Sequence, residues 1–351
     1  MRLFECHNCG QVLYFENTRC ERCGYRLGYV PERTELAALR SEGDLWCPVA
    51  EPGERLRFCD NARFEACNWM LSGASTERMC VACRHNRTIP DLSVPGNLAL
   101  WRRLEVAKHR LLYSLLRLGL PLANRADDPA HGLAFDLLAD APDLPGGRAT
   151  TGHQSGVVTI ALREANDAER ERERAEMGEP YRTLLGHFRH EVGHHYWDVL
   201  VRDGGRLGAF RALFGDERRD YGEALQSHYR NGPPPDWQEQ YVSAYASAHP
   251  WEDWAETWAH YLHMVDTLEM AANFGVSVHP RVTVAPWLAA EVDFDPYGAA
   301  EVGQIVNAWL PLTFALNGLN RSMGHPDLYP FVLSPAVIDK LGFVHRLVRL
   351  A

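Results

Sequence analysis

Apolar residues recur at intervals of three and four in three long segments of the 351-residue chain. This spacing places them on one face of a helix that packs against a core. The segments are NLALWRRLEVAKHRLLYSLLRLGL at 97–120, YRTLLGHFRHEVGHHYWDVLV at 181–201 and WEDWAETWAHYLHMVDTLEMAANF at 251–274. GVVTIAL at 156–162 is short and rich in β-branched residues, which predicts a strand. GPPPDW at 232–237 breaks the chain between the last two helices.

The segment DAERERERAEMGEP at 167–180 is dominated by charged residues. It indicates a solvated helix or a lid, and a plain surface segment is the preferred interpretation. Composition changes at about residue 90, where cysteines and turn residues give way to long amphipathic segments. We therefore expect an α+β protein, in which a small cysteine-rich module precedes a mainly helical domain. The predicted domains are 1–30, 31–92 and 93–351.

The charge balance limits the classes of partner. The chain has 36 Lys and Arg against 46 Asp and Glu, a net charge of −10. Because proteins that bind nucleic acid must neutralise phosphates, this balance argues against nucleic acid as a partner. Residues 1–30 alone, with four arginines and three glutamates, are also balanced. No uncharged apolar stretch reaches about 18 residues, so we expect no membrane-spanning segment.

All nine cysteines lie within the first 83 residues. An odd number of cysteines, largely in CxxC pairs, favours metal binding over disulfides. The chain shows no N-terminal apolar run of the kind that forms a signal peptide. We therefore expect a cytoplasmic protein with reduced cysteines.

CHNCG at 6–10 and CERCG at 20–24 form a C-x2-C-x10-C-x2-C pattern. Each CxxC-G turn directs two thiolates at one point, and four thiolates suit tetrahedral Zn²⁺. A closed set of four sulfurs leaves no open position, so this zinc should be structural, and the metal should stabilise a module too small to fold unaided. The predicted ligands are Cys6, Cys9, Cys20 and Cys23.

Five further cysteines compete for the four positions of a second structural zinc site. Cys80 and Cys83 form the CVAC pair, and Cys59 and Cys67 are the preferred other ligands. Cys47 is the predicted spare cysteine, and a site that contains Cys47 remains the alternative.

His190, Glu191 and His194 form the H-E-x-x-H pattern. Residues four apart lie on one face of a helix, so both imidazoles can bind the same Zn²⁺. Glu191 can take a proton from water that the metal activates. Gly193 is expected to leave room beside the metal.

Two other histidines flank this pattern. His195 points about 100° away from His194, so it does not easily share the metal. His187 lies one turn before His190, on roughly the same face of the helix. A surface or supporting role is the preferred interpretation for both.

A catalytic zinc needs a third protein ligand and an open fourth position. The metzincin extension of HExxH is absent, so the third ligand is expected from a later helix. Glu252 and Glu256 are four apart in an aromatic-rich segment, which favours a buried face; Asp253 points away from it. Glu252 is the predicted ligand, and Glu256 could accept a hydrogen bond from a zinc-binding histidine. The alternatives to Glu252 are His249, His260 and His263.

Several segments together resemble the bacterial zinc-binding metallopeptidases that carry an N-terminal zinc-ribbon domain. They are HFRHEVGHHYWD, FGDERRDYGEAL, HYRNGPPPDW and YASAHPWEDWAETWAHYLH, behind the cysteine module and CRHNRTIPDL. The resemblance covers nearly the whole chain. It implies a zinc ribbon at 1–30 and a zincin-like metallopeptidase domain at 93–351.

YASAHPWEDWAE is also similar, more distantly, to the segment that carries the third zinc ligand in gluzincins of the anthrax lethal factor type. This resemblance implies that Tyr245, seven residues before Glu252, faces the metal and donates a hydrogen bond to a developing oxyanion. The two glutamates of that pattern fall on Glu252 and Glu256. Asp253 and Trp254 stand where that pattern has phenylalanines, so the surrounding packing should differ.

These features imply a zinc metallopeptidase that cleaves a peptide or protein substrate, with Glu191 as general base, one catalytic zinc and two structural zincs. The zinc ribbon could dock a protein partner. The alternative is an adaptor whose zincin-like domain binds metal and a partner without cleaving it. The enzyme is favoured because a binding protein needs neither Glu191 nor Tyr245. A core strand is the preferred interpretation of 156–162, and a sheet edge that binds an extended peptide, as zincin edge strands do, is the alternative.

Overall fold

The computed structural model describes residues 1–140, 147–177, 183–283 and 285–350. The chain divides into two compact units. The first comprises Met1–Tyr113 and Leu122–Arg170, and the second comprises Ser114–Pro121 and Glu171–Ala351. The domain boundaries after residues 30 and 92 stay predictions.

The first unit begins with the cysteine-rich region. A two-stranded ribbon, β1 (Phe4–Glu5) and β2 (Val12–Leu13), is followed by a five-stranded antiparallel sheet. Its strands, in order, are β3 (Arg26–Val30), β4 (Glu35–Glu42), β5 (Leu45–Pro48), β6 (Leu56–Phe58) and β7 (Met70–Ser72). Five buried apolar side chains form the core of this sheet: Val30, Ala37, Leu39, Leu56 and Met70.

A second sheet in the same unit has the strand order β10-β11-β9-β8. The bounds are β8 (Asn86–Thr88), β9 (Ala134–Leu138), β10 (Gly152–Gln154) and β11 (Val157–Ala161). The strand predicted at 156–162 is therefore present in its preferred core position, and the alternative place at a sheet edge is wrong. β11 pairs in parallel with β9 and antiparallel with β10, so it is a core strand.

Helices dominate the rest of the chain. Their bounds are α1 (Asn97–Arg117), α2 (Asp167–Met177), α3 (Leu184–Tyr196), α4 (Leu207–Phe214), α5 (Tyr221–Asn231), α6 (Pro250–Asn273), α7 (Val302–Ser322) and α8 (Pro335–Leu350). Two short strands, β12 (Ser277–Val278) and β13 (Ala290–Glu291), pair antiparallel. The charged segment 167–180 is helical through Met177, and its last three residues lie outside the described residues, as do 181–182 of the predicted helix 181–201.

Helix α6 is the centre of the second unit. Its first turn is pre-organised because Pro250 fixes the backbone and the His249 ring accepts a hydrogen bond from the Trp251 N–H at 3.1 Å. Trp254 and Trp258 are fully buried. Such a helix, apolar on most of its surface, forms the core against which neighbouring helices pack.

Helices α3 and α6 approach each other closely at Gly193. A Cβ atom on Gly193 would lie 3.2 Å from the Ala255 Cα and 3.1 Å from Cδ1 of Trp258. The Trp254 indole N–H donates to the Gly193 carbonyl at 2.7 Å, and Tyr196 stacks on Trp258 at 4.9 Å. Gly193 therefore makes room for α6, not for the metal as the sequence suggested.

The predicted class is confirmed: the protein is α+β, with a small cysteine-rich zinc-ribbon region followed by a helical domain. None of the described helices combines the length and the apolar surface that crossing a bilayer requires.

Candidate metal centres

The first four-cysteine cluster is formed by two turns. Cys6 and Cys9 lie in the turn between β1 and β2, and Cys20 and Cys23 lie in the turn that precedes β3. The Sγ atoms of Cys6 and Cys23 lie 3.6 Å apart, as do those of Cys9 and Cys20. A tetrahedron with zinc–sulfur bonds of about 2.3 Å separates its sulfurs by about 3.8 Å, so these residues fit a zinc ion. The glycine after each CxxC has a positive φ, which lets each turn close.

The second cluster consists of Cys59, Cys67, Cys80 and Cys83, all buried and with their sulfurs within 4.8 Å of one another. The Cys67 and Cys80 sulfurs lie 3.7 Å apart. Backbone N–H groups point at three of the sulfurs, from Trp69 to Cys67, from Cys80 to Cys59 and from Cys83 to Cys80. Such donors favour thiolates, the form in which cysteine binds zinc.

Cys47 lies outside this cluster. Its thiol contacts the carbonyl oxygen of Pro52 at 3.2 Å. Helix α1 instead brings two side chains that the sequence analysis missed: His109 Nε2 lies 3.6 Å and Glu105 Oε2 3.8 Å from the Cys83 sulfur. The buried Lys108 ammonium holds Glu105 at 2.7 Å, so that carboxylate is already paired.

The third centre joins α3 to α6. Glu252 Oε2 lies 3.0 Å from Nε2 of His190, and its Oε1 lies 3.7 Å from Nε2 of His194. Tetrahedral bonds of 2.0–2.1 Å separate ligand atoms by about 3.3–3.4 Å, so the 3.0 Å between Oε2 and His190 Nε2 is within a few tenths of an ångström of that spacing. The two histidines share one face of α3 because they are four residues apart.

The hydrogen bonds around this centre fit a cation. His190 Nδ1 lies 2.7 Å from Glu256 Oε1, so Nδ1 carries a proton, and a neutral His190 would direct the lone pair of Nε2 at Glu252. Within the described residues, the buried Oε2 atom of Glu252 accepts no hydrogen bond. A lone pair and a carboxylate oxygen that face each other at 3.0 Å need a positive charge between them, which Zn²⁺ supplies.

The ionisation of these groups follows from the same contacts. Burial acts to raise the pKa of Glu252, but His194, His190 and Tyr221 outweigh it and hold that pKa at about 2. Burial acts to lower the pKa of His190, and Glu252 and Glu256 outweigh it and raise that pKa well above its usual value. Without a metal, a proton would therefore take the place of the cation between His190 and Glu252.

The two predicted catalytic side chains lie beside this centre. Glu191 follows His190 on α3, is partly exposed, and is one of the charges that raise the pKa of Tyr221 after burial and Glu252. The Tyr245 ring lies 6.0 Å from the His190 ring. Within the described residues, the Tyr245 hydroxyl makes no hydrogen bond.

Two further polar contacts were not foreseen. The Tyr221 hydroxyl donates to Glu252 Oε1 at 2.5 Å. The Ser243 hydroxyl donates to Glu256 Oε2 at 2.6 Å and accepts from the Ala246 N–H at 3.1 Å. The only sequence signal near Tyr221 was the segment FGDERRDYGEAL, in which the Asp220 side chain caps α5. That signal predicts a helix start but no contact with Glu252.

The alternative histidines serve other contacts. His249 donates from Nε2 to the Arg219 carbonyl at 3.2 Å, and His260 Nδ1 lies 2.7 Å from the Tyr329 hydroxyl. The His263 ring packs on Trp309 at 5.5 Å. Among the described residues, only His190, His194 and Glu252 converge at this centre, and His187 and His195 do not join them.

The chain belongs to the family described as "Putative zinc-binding metallo-peptidase", whose model matches residues 97–347. A zinc-ribbon domain model matches residues 3–94. The resemblance to zinc-ribbon metallopeptidases is therefore confirmed. Zinc is also supported by the cysteine clusters.

The chain is similar to two mycobacterial relatives, the uncharacterized proteins Mb2598c of Mycobacterium bovis and Rv2568c of Mycobacterium tuberculosis. Each is 44% identical over 349 residues, which covers 99% of this chain and 95% of the relative. No solved structure matches the chain. The likeness to lethal factor-type peptidases stays a prediction.

Proposed function

We propose that the protein is a zinc-dependent metallopeptidase that hydrolyses peptide bonds, with His190, His194 and Glu252 as ligands of the catalytic zinc. The convergence of these three groups beside Glu191 carries the proposal. Membership of a zinc-binding metallopeptidase family supports it. The four-cysteine clusters would hold the two structural zincs, and the zinc ribbon could dock a protein partner.

A zinc ion at this centre would act as a Lewis acid on the scissile carbonyl and lower the pKa of a water molecule. Glu191 would accept a proton from the attacking water and return it to the leaving amine. Tyr245 would donate its hydroxyl hydrogen bond to the oxyanion that develops on the carbonyl. Glu256 keeps His190 in the tautomer that presents Nε2, and Ser243 holds Glu256 in turn.

The test compares the wild type with Glu191→Gln and His190→Ala. Metal analysis should find three zincs in the wild type and in Glu191→Gln, and two in His190→Ala. Profiling of proteome-derived peptides should find cleavage by the wild type that Glu191→Gln lacks, because the amide cannot accept the proton. His187→Gln is the matched control on the same helix, and it should keep three zincs and cleave.

Three outcomes would contradict this function. Equal cleavage by Glu191→Gln would refute the assigned mechanism. Unchanged zinc content in His190→Ala would refute the ligand set. Three zincs without cleavage in the wild type would favour the alternative, an adaptor that binds a partner at this centre without cutting it.

A further inference from the structure

Tyr221, at the start of α5, makes a short contact with the proposed metal ligand. Its hydroxyl donates to Oε1 of Glu252 at 2.5 Å. We propose that Tyr221 is a positioning residue that reserves the other oxygen, Oε2, for the metal, so that Glu252 binds through one oxygen only. This inference rests on the His190, His194 and Glu252 centre of the proposed function.

The two oxygens of Glu252 have different surroundings. Oε1 accepts from Tyr221 and lies 3.7 Å from His194 Nε2. Oε2 lies 3.0 Å from His190 Nε2 and, among the described residues, accepts no hydrogen bond. A phenol that donates to Oε1 uses one of its lone pairs and draws off part of its charge, so Oε2 is the stronger ligand for a cation. Binding through one oxygen gives three protein ligand atoms and leaves the fourth position open.

The direction of the Tyr221 hydroxyl is set by residues next to Glu252. The Tyr221 ring packs edge-on against His249 at 5.2 Å and Trp251 at 5.9 Å. His249 also donates to the Arg219 carbonyl at 3.2 Å, two residues before Tyr221. Both ends of the Tyr221–Glu252 hydrogen bond are therefore tied to the first turn of α6, which makes the contact a fixed part of the site.

Trp251 extends this support to a second ligand. Its ring lies 4.6 Å from that of His194 and 5.9 Å from that of Tyr221. Tyr221, Trp251 and His194 thus form one aromatic group beside the metal centre. Tyr221→Phe keeps the ring in this group and removes only the donor to Glu252.

The experiment measures metal binding at the third centre in full-length wild type, Tyr221→Phe and Tyr229→Phe. Tyr229 is the matched control because it lies on α5, is exposed, and has no hydrogen bond to Glu252 among the described residues. Zinc affinity is measured by competition with a chelator, and Co²⁺ exchanged into the third centre reports the coordination number through its visible spectrum. The two cysteine sites report whether each variant is folded.

Tyr221→Phe should lower the zinc affinity about 10- to 100-fold, the usual range for loss of a group that supports a ligand. Its cobalt spectrum should weaken as Oε1 becomes free to bind and the ion changes from four to five ligands. Tyr229→Phe should match the wild type in both measurements.

Unchanged affinity and spectrum in Tyr221→Phe would overturn the proposal, as would equal losses in Tyr229→Phe. Weaker binding with an unchanged spectrum would overturn the single-oxygen assignment. Loss of all three metals would show that Tyr221 is needed for folding, which also overturns a positioning role. A wild type with only two metal sites would instead refute the proposed function, so the two failures are distinguishable.

Discussion

His190 Nδ1 and Glu256 Oε1 lie 2.7 Å apart, joining α3 to α6 behind the proposed metal centre. The contact determines which nitrogen of His190 faces Glu252. Because the Ser243 hydroxyl also donates to Glu256, the carboxylate is held from two sides. The metal affinity should therefore depend on a residue that does not itself bind the ion.

Glu256→Gln should lower the zinc affinity of the third centre about 10- to 100-fold. The amide keeps the shape of the side chain but removes the charge that stabilises the His190 N–H. Competition with a chelator measures the change. Glu269→Gln is the control, because Glu269 is a buried carboxylate on the same helix that pairs with Arg117 instead. Equal affinity in Glu256→Gln and the wild type would refute the role of Glu256.

Gly193→Ala should destabilise the protein by about 1–3 kcal/mol, because the new methyl group would overpack the α3–α6 contact. The Ala255 backbone and the buried Trp258 ring cannot easily withdraw from it. Separation of the helices should also move His194 away from Glu252 and weaken zinc binding. Urea unfolding and chelator competition measure the two effects.

Gly318→Ala provides the opposite expectation. Gly318 lies within α7, and no atom lies within 4 Å of an added Cβ. This substitution should stabilise the protein by roughly 0.5–1 kcal/mol through helix propensity. If Gly193→Ala stabilises the protein as Gly318→Ala does, the close approach of α3 and α6 is not a constraint.

The ligand pattern could be predicted because it depends on helix geometry. His190 and His194, like Glu252 and Glu256, are four residues apart, and that spacing alone places each pair on one face. Spacing alone could not predict the pairing of α3 with α6. It was expected because the metzincin extension is absent and the later segment is rich in aromatic residues, and the resemblance to a family then supported it. The role of Gly193 was misinterpreted because the residues that leave no room for a side chain there, Ala255 and Trp258, lie on the other helix.

Two contacts from outside α3 and α6 could not be predicted. Tyr221 and Ser243 reach the site only through the tertiary fold. No periodic pattern in the sequence around them indicates where their side chains point. The sheet gives a second example. A short apolar strand has the same pattern in the centre as at an edge, and β10, one of the two edge strands, reads GHQ without any hydrophobic pattern. The sequence pattern therefore favoured a core position for β11 but left an edge position open.

The assignment of the second structural site can be tested with two serine substitutions. Cys59→Ser should lose one of the three zincs, because a hydroxyl is a poor zinc ligand. Cys47→Ser should keep all three, because Cys47 lies outside the cluster and a serine hydroxyl can still donate to the Pro52 carbonyl. Metal analysis of the purified variants measures this. Loss of zinc from Cys47→Ser but not from Cys59→Ser would reverse the assignment.

His260 should make the stability depend on pH. Burial lowers its pKa to about 4, and Glu256 opposes this only in part. The unfolded chain has a histidine pKa of about 6.5, so between these values the unfolded state binds more protons. The contribution of His260 to the free energy of unfolding is fully present above about pH 6.5. It is lost as the pH falls towards 4, which lowers the free energy of unfolding by about 3 kcal/mol.

His260→Gln should reduce the pH dependence of the free energy of unfolding between pH 7 and 4.5. The amide does not titrate and can still bond the Tyr329 hydroxyl, which lies 2.7 Å from His260 Nδ1. Urea unfolding across this range measures the slope. His325→Gln is the control, because His325 is exposed and its substitution should leave the slope unchanged. Since acid also releases zinc from every variant, the difference in slope between the two variants is the decisive quantity. Equal slopes would mean that the buried His260 is not the source of the acid sensitivity.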